Sequence, residues 1–287
     1  MTLGTYADAV DLFDRRYRLQ LDTVVIEALQ VQFEIKRSLS AKTPNSCSVK
    51  VYNLSEATRL RLQQLDSVFV SLEAGYAQGS SLLFRGELRE LWSERAGSDW
   101  VSNIESADGA KRKKQRVNKS FPKGTPVATV IKECAKALKV GLGNVDKRAD
   151  LAQFWNVKPA KFALGYVATG DAMSALDRVC RSCGLEWSIQ DNQLQLLERG
   201  KALAEQAVLL SPQTGLIGSP APEHGKGKKG LVRVETLMIP GLYPGRRVKL
   251  ETRHVSGAYR VETTNVRGDF FGNDWGAEVE LRHIEDR

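Results

Sequence analysis

The chain is poor in the side chains that carry out chemistry. Of its 287 residues only three are histidine and four are cysteine. His224, His254 and His283 lie in separate stretches, and the sequence holds no H-E-x-x-H, no G-x-S-x-G and no phosphate-binding loop. Without a nucleophile, a base or a proton donor in a recognisable spacing, there is no catalytic constellation to name, and a non-enzymatic protein is expected. Cys180 and Cys183 form the sole C-x-x-C; a zinc site needs a second such pair or histidines close by. Cys180 also falls on an apolar helical stripe, so buried thiols are expected, with no metal and no cofactor. Long apolar runs are missing too: none approaches the roughly 20 residues that cross a bilayer. Residues 1–16 carry Asp8, Asp11 and Asp14 and lack the apolar stretch of a signal peptide. We therefore expect a protein made and assembled in the cytoplasm, without membrane insertion.

What the chain has is positive charge, +8 in all, and it is local. Lys111, Arg112, Lys113, Lys114, Arg116 and Lys119 form one cluster; Lys226, Lys228 and Lys229 form another. Such runs suit a solvated loop, an acidic surface on another subunit, or the phosphates of a nucleic acid. Interleaved aromatics, the usual platform for bases, are absent from both.

The most informative stretch runs from Cys47 to Arg85. Val49 and Val51 alternate as in a strand and lead through Tyr52 to Asn53-Leu54. Ser55 is placed to cap a short helix that carries Ala57, Leu60, Leu62 and Leu65 and stops at Asp66-Ser67. Val68, Val70 and Leu72 alternate as a second strand; Gln78-Gly79-Ser80-Ser81 turns the chain into a third, Leu82-Leu83-Phe84-Arg85.

Elsewhere the pattern divides the chain into four. Residues 1–16 read as an arm. Residues 17–107 supply about six strands and the short helix, with strands at Tyr17 to Ile26 and Leu29 to Ile35 and a hairpin through 83–106. That content suits an antiparallel barrel, closed or nearly so. Residues 108–202 read as an α/β insertion. One helix is expected after Thr125, with Thr125 as its cap and Pro126 at its first position. A second helix at 171–183 ends at Gly184, and a hairpin turns at Asp191-Asn192. Both helices are expected on one small sheet. Residues 144–168 show no clear periodicity. From 203 to 287 the chain is β again, with strands at 208–210, 231–239, 247–251, 258–267 and 275–284: a second barrel. The fold class is α+β, mainly β.

Several fragments resemble one family. V-x-V-Y-N-L-S-x-x-T at 49–58, V-x-L-x-A-G-Y at 70–76 and L-F-x-G-x-L at 83–88 are similar to hub proteins of bacteriophage tails and baseplates. These are relatives of the late-control D proteins and of the hub part of type VI secretion spikes. A second block resembles it again: Thr214 to Pro220 (T-G-L-I-G-x-P), Leu242 to Leu250, Gly257-Ala258-Tyr259-Arg260-Val261, and Gly268-Asp269 ahead of Trp275. The resemblance implies two barrels related to the tail-tube fold. It also implies a homotrimer whose six barrels imitate the sixfold tube and join it to a threefold central spike, with a lumen for DNA passage. Implied partners are the tail tube protein and the spike, with the tape measure protein and baseplate wedge or sheath-initiator proteins beside them and transient contact with phage DNA. The implied place is the virion tail, assembled in the host cytoplasm.

The candidate interface residues are Gly215, Leu216, Ile217, Gly218 and Pro220. The glycines let an apolar tip project towards a neighbour. An ordinary turn with two core residues is the other reading. Candidates for a lumen or other basic contact are Lys111, Lys113, Lys114, Lys226, Lys228 and Lys229. The rival to a structural hub is a standalone β-barrel nucleic-acid-binding protein.

Overall fold

Alternating sequence becomes strand through most of the chain. The computed structural model describes residues 12–40, 43–64, 68–108, 115–145, 160–222, 230–239 and 241–285. The chain opens with β1 (Arg15–Leu21), β2 (Val24–Ile26), β3 (Val31–Ser38) and β4 (Ser46–Tyr52), then α1 (Glu56–Gln63), then β5 (Phe69–Tyr76), β6 (Gly79–Ala96) and β7 (Asp99–Ala107). Next come β8 (Arg116–Phe121), α2 (Val127–Ala137), β9 (Tyr166–Asp171), α3 (Ala172–Ser182), β10 (Leu185–Gln190) and β11 (Gln193–Glu198). The last stretch holds β12 (Val208–Leu210), β13 (Leu216–Pro222), β14 (Leu231–Leu237), β15 (Arg247–Glu251), β16 (Ser256–Asp269) and β17 (Trp275–His283). Two units result: Met1–Leu39, Asn45–Asp108 and Ala202–Arg287 form the first, Ser40–Pro44 and Gly109–Lys201 the second.

The first unit is one 13-stranded sheet, in the order β13-β14-β17-β16-β3-β4-β7-β6-β5-β1-β2, with β15 on β16 and β12 on β15. The mainly-β α+β class is as expected, but the two expected barrels, closed or nearly so, are corrected to a single sheet that does not close into barrels. The cause is the length of β16. Its start pairs with β15, Arg260 facing Arg247. After a bulge between Val261 and Thr263, its second half pairs with β3, Val266 facing Ile35. Both blocks of sequence are thereby stitched into one open sheet that ends at β13 and β2.

Local chemistry shapes the details. The stretch expected as one strand over Tyr17 to Ile26 is a hairpin, because Asp22 takes a left-handed turn conformation at φ 52°, which a short polar side chain tolerates. β1 begins at Arg15, inside the expected arm; residues 1–11 lie outside the described residues. Ser55 caps α1, its Oγ accepting from the Thr58 N–H at 3.2 Å. The expected stop at Asp66-Ser67 lies outside the described residues. Inward residues of both blocks build the core: Val31, Ile35, Val49, Leu72 and Ile104 in one cluster, and Val234, Leu250, Val261 and Leu281 in another. Each such side chain contributes about 1.5–3 kcal/mol when fully buried.

The second unit packs α2 and α3 around one core with Val130, Ile131, Leu138, Leu176 and Leu194. The single small sheet expected there is instead two ribbons, β8 with β9 and β10 with β11. The expected Thr125 cap is also corrected: Pro126 holds the cap position, and the Thr125 hydroxyl donates to the Pro122 carbonyl at 2.7 Å. Asp171 does cap α3, accepting from the Ser174 N–H at 2.7 Å.

Candidate interaction surfaces

A strand buries alternate side chains, so the other face of the first unit's sheet is defined by what faces away from the core. Where β16, β3 and β4 lie side by side that face is largely polar, and its one ring there, Tyr52, donates its hydroxyl to Gln32 at 3.1 Å. Thr263, Asn265 and Arg267 stand beside Ser38, Lys36 and Glu34, and these beside Ser46 and Ser48. The row from Arg267 through Glu34, Ser48 and Glu105 to Glu90 crosses five strands. Part of its charge is answered within the sheet. Glu34 receives Arg267 at 3.2 Å and Lys36 at 3.0 Å; Ser48 donates to Glu105 at 2.6 Å and Thr263 to Glu280 at 2.9 Å. Burial alone would raise the Glu34 carboxyl, but hydrogen bonds from Lys36, Asn265 and Arg267 outweigh it and hold the group below the usual carboxylate range. Residues from both sequence blocks share this face, because β16 and β3 are neighbours.

At one end of the sheet the β16–β17 connection is built around Asp269. Its carboxylate accepts from Gln30 at 2.6 Å, from Gln32 at 2.9 Å and from the Gly272 N–H at 2.9 Å. Burial pushes this acid up, and those donors bring it below its ordinary value. A Cβ on Gly272 would lie 2.3 Å from the carboxylate, so a side chain there would push Asp269 out of this arrangement. Arg15 closes the loop from the other side. It donates to the carbonyls of Asp269 at 3.1 Å and Gly272 at 2.6 Å and lies 5.4 Å from the Trp275 ring centre. Phe270 turns inward, edge-on to Tyr17 at 4.8 Å, while Phe271 stands 70% exposed.

Next to this loop lies a cleft of about 540 Å³. Its apolar wall includes Leu12, Phe13, Ile217 and Trp275; its polar wall includes Asp14, Glu235, Asp274 and Glu278. Of the sequence-derived interface residues, Ile217 on β13 lines it. Gly215, at φ 103°, leaves a 3-10 turn at Pro212–Thr214 that Ser211 and Thr214 cap reciprocally. The expected apolar tip is half core: Leu216 is buried among Val234, Leu242 and Leu281, and Ile217 alone projects, 45% exposed. Gly218, at φ 67°, and Pro220 lie where the β13–β14 register shifts. β13 pairs only with β14, so its outer edge is the end of the sheet. Bulge and prolines are the usual means of blunting such an edge.

The basic candidates Lys111, Lys113, Lys114, Lys226, Lys228 and Lys229 lie outside the described residues. All four cysteines are free and buried. Burial pushes the Cys134 thiol up to about 11 and raises Cys47 and Cys180 further. Thiols held in that form are poor nucleophiles and poor metal ligands. Among the described residues no group of three His, Cys, Asp or Glu side chains is placed to hold a metal. Sequence reasoning missed Phe13, Arg15 and Phe271. Arg15 sits in a stretch without periodicity, and its partners are more than 250 residues away.

Comparison with known proteins places this geometry. No curated protein sequence matches the chain. Solved structures share its fold at low identity. A 43 kDa tail protein of prophage MuSo2 from Shewanella oneidensis aligns with TM-score 0.64 and 8% identity, over 94% of this chain and 97% of that one. A tail protein from Neisseria meningitidis MC58 aligns with TM-score 0.61 and 10% identity, over 94% and 97%. The Escherichia coli c3393 protein, described as a type VI secretion component structurally similar to T4 tail proteins gp27 and gp5, aligns with TM-score 0.58 and 10% identity, over 93% and 77%. The profile of the family described as baseplate hub gp41 matches residues 12–254. The chain belongs to that family, and is a structural protein of the phage tail and baseplate.

Proposed function

We propose that three copies form a ring at the end of the tail tube, acting without catalysis as the adaptor between a sixfold tube and a threefold central spike. Each copy contributes two tube-like halves, residues 17–107 and 203–287, so three copies present six. The insertion, 108–202, and the arm, 1–16, remain as separate parts of this division. The observation that carries the reading is the largely polar sheet face, which crosses both halves where β16 pairs with β3 and β3 with β4. A face so rich in polar groups, on a sheet whose other side is the core, suits the wall of a water-filled lumen through which DNA passes with only transient contact. Rings of rotationally related subunits need heterologous contacts, which close only when the rotation fits.

On this reading the homotrimer binds the tail tube protein on one side and the spike on the other. The tape measure protein and baseplate wedge or sheath-initiator proteins are further neighbours, and assembly occurs in the host cytoplasm. Imaging of purified tails carrying a labelled version of this chain tests it. Three labels around the axis where tube meets spike are expected; labels elsewhere, or six, would overturn it. A standalone nucleic-acid-binding protein would instead be missing from purified tails and bind DNA with steeply salt-dependent affinity.

A further inference from the structure

The chain's positive charge is entirely a property of its second unit. Residues 40–44 and 109–201 hold 19 Lys and Arg against 8 Asp and Glu, a net +11; the remaining residues hold 23 against 26, a net −3. One small unit is strongly basic and the larger one is slightly acidic.

The basic unit also bears the most exposed large apolar side chain among the described residues. Leu164 is 94% exposed. It lies in a turn between Phe162 and Tyr166, whose rings stack, centres 4.5 Å apart and 25° from parallel. The Phe162 carbonyl accepts from the Gly124 N–H at 2.8 Å, and the Phe162 N–H donates to the Thr125 carbonyl at 3.0 Å. Gly165 takes φ +92°, and a Cβ there would lie 2.9 Å from the Phe121 carbonyl oxygen. A leucine held up on such a support costs little further entropy when it is buried by a partner. Lys123 and Lys161, both exposed, flank the turn in sequence and in its hydrogen bonding. The cleft of the acidic unit offers an apolar wall with Phe13, Ile217 and Trp275, and four carboxylates, Asp14, Glu235, Asp274 and Glu278, against two guanidiniums, Arg15 and Arg267; Glu235 and Asp274 are exposed.

We propose that Leu164 of one copy seats in this cleft of a second copy, with Lys123 and Lys161 facing Glu235 and Asp274. The contact is heterologous, so it propagates from copy to copy as a closing ring requires. It rests on the ring reading and names the contact that closes it. The occupant is a second copy because one chain carries both halves of the match, each exposed, with opposite charge on the two units.

The test is sedimentation of the purified full chain over a range of concentration and salt. Wild type is expected to self-associate, more weakly as salt rises. Leu164→Asp is expected to weaken association by about tenfold to a hundredfold, as loss of one buried leucine does, without lowering the melting temperature, since Leu164 contributes no packing within its own chain. Lys161→Glu alone and Glu235→Lys alone are each expected to weaken association, and the two together to restore it. Leu164→Asp mixed with Ile217→Asp retains one sound knob and one sound cleft, so the mixture is expected to stop at twice the 31.8 kDa chain. A wild type that stays monomeric at its highest soluble concentration overturns the contact, and so does association indifferent to Leu164→Asp. In either case three labels at the tube end would leave the ring standing with a different contact; correct pairing of knob and cleft in tails lacking three labels would sink the ring reading alone.

Discussion

Single residues set the loop that borders the cleft, and Arg15 is the one whose loss should be felt most. Its guanidinium donates to two partly buried carbonyls. Arg15→Ala is expected to lower stability by about 1–3 kcal/mol, the usual loss when charged hydrogen bonds are removed, read from denaturant midpoints. Asp269 makes the same loop sensitive to acid. Its folded pKa lies below its ordinary value. Its contribution is therefore complete above the unfolded value of about 3.9 and is lost as pH falls through the lower, folded value. The urea midpoint should drop across that window, and Asp269→Asn should flatten that part of the drop. At β13 two neighbours should behave oppositely. Leu216→Ser removes a core side chain and is expected to cost about 2–5 kcal/mol, as large-to-small core changes do; Ile217→Ser should stay within about 0.5 kcal/mol.

Elements differ in how openly their sequences declare them. The β10–β11 hairpin was fully legible: alternating apolar residues flank Asp191-Asn192, and both turn residues take positive φ, 52° and 66°, as a two-residue hairpin turn demands. α3 was legible from its stripe and from Gly184, which follows the helix at φ 70°. The helix after Thr125 was placed correctly, but its cap was not. A hydroxyl close to a helix start has more than one carbonyl or amide within reach, and here Pro122 won. Asp171→Ala should therefore cost about 1 kcal/mol, and Thr125→Ala clearly less, in thermal melts of the full chain. Pairing between distant strands was not legible. Alternation in β3 marks Val31, Phe33 and Ile35 as core without saying which strand lies beside them, and a strand from residue 256 onward proved to be the neighbour. The interface loop was half legible: its glycines mark the bend correctly, but no local pattern separates Leu216, which faces inward, from Ile217, which does not.

At the scale of the whole molecule, the β3–β16 pairing means that neither half of the large sheet is complete alone. A fragment of residues 1–108 would expose the edge of β3 and lose Val266 and Trp275 from its core cluster. It is expected to lack a cooperative thermal transition, and a folded, sharply melting fragment would contradict this account. Apart from Ser40–Pro44, the second unit comes from one stretch, Gly109–Lys201, so it should refold first, with the large sheet following more slowly because its pairings span over 200 residues. Stopped-flow fluorescence should resolve two phases.

The polar face of that sheet has one more consequence. Arg267 and Lys36 already hold Glu34, and Ser48 holds Glu105, so on the proposed lumen reading a charged polymer running along them would meet many shallow, interchangeable contacts and no deep trap. Friction along such a wall is spread evenly instead of concentrated at sticking points. A wall of this kind behaves as a bearing: it guides what moves over it and does not grip it.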